Sequence, residues 1–135
     1  MKKVVLIILL LVIPFAFSAC SVEKLATKKI RDIDFTIVEE KNVPEELQKM
    51  ISEKKSTPLK LTYADQGELF IAQGYGKKTT SGYSVGVVEC FETENAIYVH
   101  TNLIGPAKDE KITEVETYPY IVIKMEFVDK NVVFQ

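Results

Sequence analysis

Side chains able to do nucleophilic, acid–base or metal chemistry are scarce in this 135-residue chain, which has one histidine and two cysteines. A Ser–His couple would need Ser81 or Ser84 beside His100, and no local motif sets such a nucleophile and base together. His100 follows Tyr98 on the strand face opposite Ile97 and Val99, the setting of a solvent-facing histidine. A zinc site draws several ligands from His and Cys clusters, which His100 and one spare thiol do not form. The paired acids Glu45 and Glu46 stand where a helix begins, a solvated place favoured by the helix dipole. Cys90 follows an apolar strand pattern and is expected to be a buried, inert thiol. The expectation is a protein with no catalytic residue, no metal and no cofactor.

Two loops stand out by composition instead. Gly74-Tyr75-Gly76-Lys77-Lys78-Thr79-Thr80-Ser81-Gly82-Tyr83-Ser84 combines glycines that permit close backbone approach with two lysines and several hydroxyls. It is not a phosphate-binding P-loop, which would place Gly where Ile71 stands and Ser or Thr where Lys78 stands. It reads as an ordinary connection or as a binding loop, because loops serve both purposes. Gly76, Lys77, Lys78, Thr79, Thr80, Ser81, Gly82 and Tyr83 are the candidate partner contacts. The second segment runs from Gly105-Pro106-Ala107-Lys108-Asp109-Glu110 to Tyr118-Pro119-Tyr120. Tyr118 and Tyr120 could stack on a partner or cover the rim of the core with their hydroxyls wet.

At the other end of the chain, Lys2 and Lys3, an apolar run from Val4 to Phe17 and the small residues Ser18-Ala19 have the layout of a secretory signal peptide. The stretch from Val4 to Ala19, broken by Pro14, is shorter than the roughly 20 residues that span hydrocarbon. Phe17-Ser18-Ala19-Cys20 resembles the lipobox of bacterial lipoproteins, with Phe17 where Leu is more usual. That resemblance implies cleavage before Cys20 and lipid attachment to its thiol, hence export and anchoring on the outer side of the cytoplasmic membrane. A lipidated Cys20 leaves Cys90 without a disulfide partner. The formal net charge of −2 becomes more acidic once Lys2 and Lys3 are removed, and no basic patch marks a nucleic-acid surface.

The pattern divides the chain into a signal peptide over 1–19, a lipidated N-terminus and polar tether over 20–31, and one domain over 32–135. Ile33, Phe35 and Ile37 alternate with Asp34 and Thr36, as in a half-buried strand. Pro44-Glu45-Glu46 opens a helix whose apolar stripe is Leu47, Met50 and Ile51 and which ends near Lys55. A hairpin follows around Ala64-Asp65-Gln66-Gly67, and a second around Glu92-Thr93-Glu94-Asn95. Strands at Tyr120–Val128 and Asn131–Phe134 close the chain. One helix with six or seven antiparallel strands predicts a β-rich α+β domain, a curled sheet or small β-sandwich with the helix packed on it. The expected core is Phe35, Ile37, Leu47, Ile51, Leu61, Ile71, Val85, Val87, Ile97, Val99, Ile121, Ile123, Met125 and Phe127.

Gly76 to Val85, followed by a strand pair, Gly105-Pro106 and Tyr118-Pro119-Tyr120-Ile121-Val122-Ile123-Lys124, resembles the C-terminal domain of PrcB, a lipoprotein subunit of a bacterial surface protease complex. The likeness spans about residues 69–128, with Thr79 and Ser81 departing from a Pro-Thr-Gly-Gly-Tyr pattern. It implies a non-catalytic surface lipoprotein that binds a partner protein, a secreted protease it tethers or stabilises. A more distant likeness is to chagasin-type protease inhibitors, whose Thr-Thr-Gly-Tyr loop is interrupted here by Ser81 and whose tryptophan loop has no counterpart in a chain without Trp. An inhibitor is therefore the alternative reading, and an enzyme of unknown class the third.

Overall fold

The structure, a computed structural model, describes residues 28–135. The expected signal peptide over 1–19 and the expected lipidation site Cys20 lie outside the described residues. The chain runs through strands β1 (Lys29–Asp32) and β2 (Thr36–Ile37), a 3-10 turn (Glu40–Asn42), helix α1 (Glu45–Lys54), then β3 (Pro58–Asp65), β4 (Glu68–Tyr75), β5 (Ser84–Thr93), β6 (Ala96–Ile104), β7 (Tyr120–Glu126) and β8 (Asn131–Phe134). Two four-stranded sheets form, ordered β1-β5-β6-β8 and β2-β7-β4-β3. Among the described residues the result is a small β-rich sandwich with one helix on it.

Local chemistry sets the turns. Between β3 and β4, Gln66 (φ 49°) and Gly67 (φ 79°) both adopt positive φ, the requirement of a tight primed turn that matches strand twist. Between β5 and β6, the fully buried Thr93 does the corresponding work with its side chain. Its Oγ1 accepts from the Ala96 N–H at 3.1 Å and the Asn95 N–H at 3.3 Å. Helix α1 begins after Pro44 with Glu45 and Glu46 in its first turn and Lys54 in its last, all on the favourable side of its dipole. The Gln48 amide donates to the Glu40 and Val43 carbonyls at 2.8 and 2.9 Å, tying the helix to the turn before it.

Two apolar layers result. Ile33, Leu69, Ile71, Cys90, Ile97, Val99, Ile121, Ile123 and Met125 fill the space between the sheets. Val43, Leu47, Ile51, Leu59, Phe70, Ala72 and Val122 fill the space between α1 and the β2-β7-β4-β3 sheet. Strand β4 is consequently buried on both faces, and Leu69-Phe70-Ile71-Ala72 is a continuous apolar run because each face meets a different layer.

Several expectations are corrected. Strand β8 runs parallel to β6, from Ala96↔Asn131 to Val99↔Phe134, because the chain leaves β7 in one sheet and crosses to the edge of the other. Lys29, Ile30 and Arg31, expected in the tether, form β1 with Asp32 and pair along β5 at Phe91–Thr93. Phe35, Ile37 and Phe127 are 36%, 62% and 46% exposed instead of buried. The alternating stretch around Asp34 is not one strand: after Ile33, whose N–H bonds the Cys90 carbonyl, the chain steps to the other sheet and pairs there over two residues only. Phe127 lies past the end of β7, its N–H on the Gly67 carbonyl, beyond the reach of the core. Leu61, Val85 and Val87 pack against the two layers while only partly buried.

Candidate partner-binding surface

The two loops singled out by composition meet in space. Gly76 (φ +80°) turns the chain against Pro58, and the Lys77 N–H donates to the Ser56 carbonyl at 3.2 Å, so the first loop starts on the end of α1. Lys78 and Thr117 exchange both backbone hydrogen bonds, at 2.8 and 2.9 Å. The Thr117 hydroxyl donates to the Thr80 carbonyl at 2.7 Å. The Ser81 N–H donates to the Thr113 carbonyl at 2.9 Å, and its Oγ accepts from the Thr113 N–H at 2.8 Å. Gly82 (φ +95°) lies so close to the second loop that a Cβ there would stand 2.7 Å from Pro106 Cβ. Tyr83 stands beside Gly105, with Lys78 Nζ 5.9 Å from its ring centre.

These bonds decide which groups remain for a partner. The hydroxyls of Thr80 and Ser81 are engaged within the loop pair, Thr80 Oγ1 donating to the Ser81 carbonyl at 3.2 Å. Lys77 Nζ lies 3.5 Å from Glu116 Oε1. Thr79 is exposed, and Ile112 and Val115 of the opposite loop present about half their surface to solvent. Ile112 sits beside Gly82, its Cγ2 3.5 Å from where a Cβ would be. Residues 112–116 carried no periodic signal, and what brings them here is pairing with a segment more than thirty residues away.

Tyr118 and Tyr120 face a neighbouring place. Lys55 Nζ lies 4.9 Å over the Tyr118 ring, and the Tyr118 hydroxyl donates to Glu116 at 3.3 Å. Tyr120 packs on the layer under α1, and burial, then the Glu40 carboxylate, raises its hydroxyl above the ordinary tyrosine range. With Glu40, Gln48, Ile51, Ser52 and Lys55 they line a cleft of about 230 Å³. The ten candidate residues thus divide into a ridge, from Gly76 to Tyr83, and a cleft, joined through Ser56 and Thr117.

His100 is half-buried opposite Glu89 on the outer face of its sheet. Ser84 pairs with Ile104, four residues along β6 from His100 and so about 13 Å away at the usual strand rise. Ser81 holds the Thr113 N–H, and neither serine is brought to the imidazole. Burial pushes the Cys90 thiol up to about 11, so almost no thiolate exists at neutral pH. Among the described residues no group of His, Cys, Asp and Glu is placed to hold a metal ion.

No curated protein and no solved structure matches this chain. A family model does, over the four central strands β4 to β7 with both loops between them: residues 69–126 match the PrcB C-terminal family, and this part of the chain is similar to a PrcB C-terminal domain.

Proposed function

We propose that this chain is an exported lipoprotein, anchored through Cys20, that binds a partner protein with the ridge of residues 76–83 and the segment 112–117 locked to it. The partner this reading favours is a secreted protease that the domain tethers or stabilises, since the matched family is named for a protease-complex protein. The observation that carries the reading is the reciprocal locking of the two loops at Lys78–Thr117 and Ser81–Thr113. A loop held by its own hydrogen bonds loses little entropy on docking, so its exposed side chains and backbone are pre-organised for a partner.

The test is a pull-down from native membranes with the full chain and with Thr79→Arg/Ile112→Asp, whose side chains are exposed and make none of the locking bonds. Co-purification of a protease with the natural chain and its loss with the variant is the expected result. Capture undiminished by the variant places the interface elsewhere. Adding the purified chain to the captured protease separates tethering, which leaves turnover unchanged, from inhibition. For the anchor, Cys20→Ser should release the protein or leave the precursor unprocessed, and mass spectrometry of the mature N-terminus reads the outcome.

A further inference from the structure

Among the described residues, β2 is an edge strand that pairs only with β7. The Val38 N–H bonds the Val122 carbonyl at 2.8 Å, and bonding positions alternate along an antiparallel pair. The N–H and C=O of Ile37 therefore point outward, away from β7. The edge has two different faces. On one stands Ile37, opposite Ile123, and it is exposed, as is Phe35 just before the strand. On the other stand Asp34 and Thr36, beside Lys124, Glu68 and Glu126. Phe35 and Met125 wall a cleft of about 340 Å³ whose rim carries three carboxylates and one ammonium. Lys124 Nζ lies 3.5 Å from Glu68, and among the described residues Asp34 and Glu126 have no cation.

We propose that this edge accepts an extended segment of a partner protein in which apolar residues alternate with lysine or arginine. An open strand edge supplies main-chain hydrogen bonds to such a segment, and side-chain pockets on either face select alternate residues. Inward guest positions lie along Phe35 and Ile37 and call for apolar side chains. Intervening positions lie along Asp34 and Glu126 and call for cations. Basic side chains at the intervening positions carry their heads to the carboxylates that line the cleft. This surface uses none of the residues of the ridge at 76–83.

The experiment measures fluorescence anisotropy of a labelled heptapeptide of alternating valine and arginine on the purified full chain in non-ionic detergent, with a valine–glutamate peptide as comparison. The expected result is saturable binding of the basic peptide, weakened by salt, and weakened about tenfold or more by Asp34→Asn/Glu126→Gln. Glu53→Gln/Glu94→Gln removes the same charge elsewhere, at two exposed positions, and should change affinity less than about threefold. Ile37→Pro deletes an outward N–H that the fold does not use and should abolish binding with the circular dichroism spectrum intact. Equal binding of the acidic peptide, equal loss from the remote charge pair, or no saturation with the folded chain overturns the proposal. A stable dimer that Ile37→Lys dissociates also overturns it, in favour of a second copy at this edge.

Discussion

Gly82 is where one hydrogen atom decides a surface. Its φ of +95° is one that L side chains rarely adopt, and a methyl would stand 2.7 Å from Pro106 Cβ. Gly82→Ala should therefore push the two loops apart and cost about 1–3 kcal/mol, as overpacking does. The check is chemical denaturation together with the amide spectra of Lys78, Ser81 and Thr113; unchanged hydrogen-bond protection there would refute the locked arrangement. Gln73 carries the opposite kind of signal. It is buried in β4, and its Oε1 has no hydrogen-bond partner among the described residues. A buried acceptor left unpaired costs about 1–3 kcal/mol, so Gln73→Met, of similar length, should raise stability by up to that amount in a thermal melt. The alternation around Leu69 and Ile71 marks position 73 as inward, but only neighbouring atoms decide whether its amide is paired.

The strands at the ends of the chain are held by one carboxylate. Glu92 of β5 accepts from Lys130 Nζ at 2.6 Å and from Arg31 Nε at 2.7 Å, tying β1 and the turn before β8 to the second hairpin. Lys130 also donates to the Thr93 carbonyl at 2.9 Å. The Lys130 bond first, then the Arg31 bond, hold the Glu92 carboxyl below the usual carboxylate range. A depressed folded-state pKa stabilises the fold fully above the unfolded value of about 4.3, and that contribution fades as pH falls through the folded value. Glu92→Gln should thus cost about 1.5–3 kcal/mol near pH 7, the range for hydrogen bonds to charged groups. The gap between variant and natural chain should narrow below about pH 4. Urea titrations across pH read this directly, and a gap independent of pH would show that the two cations do not act through the carboxylate's charge. The sequence places Glu92 beside a hairpin turn. Its partners lie 61 and 38 residues away, and periodicity carries no information about such pairs.

The family match from 69 to 126 takes in the two central strands of each sheet and leaves out β1, β2, α1, β3 and β8. Leu47, Ile51 and Leu59 lie in the omitted part, and they cover Phe70, Ala72 and Val122. A fragment of residues 69–126 should therefore fail to fold cooperatively, exposing that apolar layer to dye binding, whereas residues 28–135 should unfold in one transition. A sharp, reversible melt of the fragment would show that the helix layer is dispensable. Sequence alone determined what depends on neighbours in the chain: the helix from Glu45, the hairpin turns at Gln66-Gly67 and Glu94-Asn95, the buried stripes Leu47–Ile51 and Ile121–Met125, and the two loops of unusual composition. These follow from backbone preference and side-chain period, which are local. Tertiary structure decided the rest. It set the parallel course of β8, exposed Phe35, Ile37 and Phe127, and joined Lys78 to Thr117 and Ser81 to Thr113. Each of these depends on which strand becomes the neighbour and where a sheet ends, and the period of two along a strand is the same whether its apolar face meets a second sheet or runs past the rim.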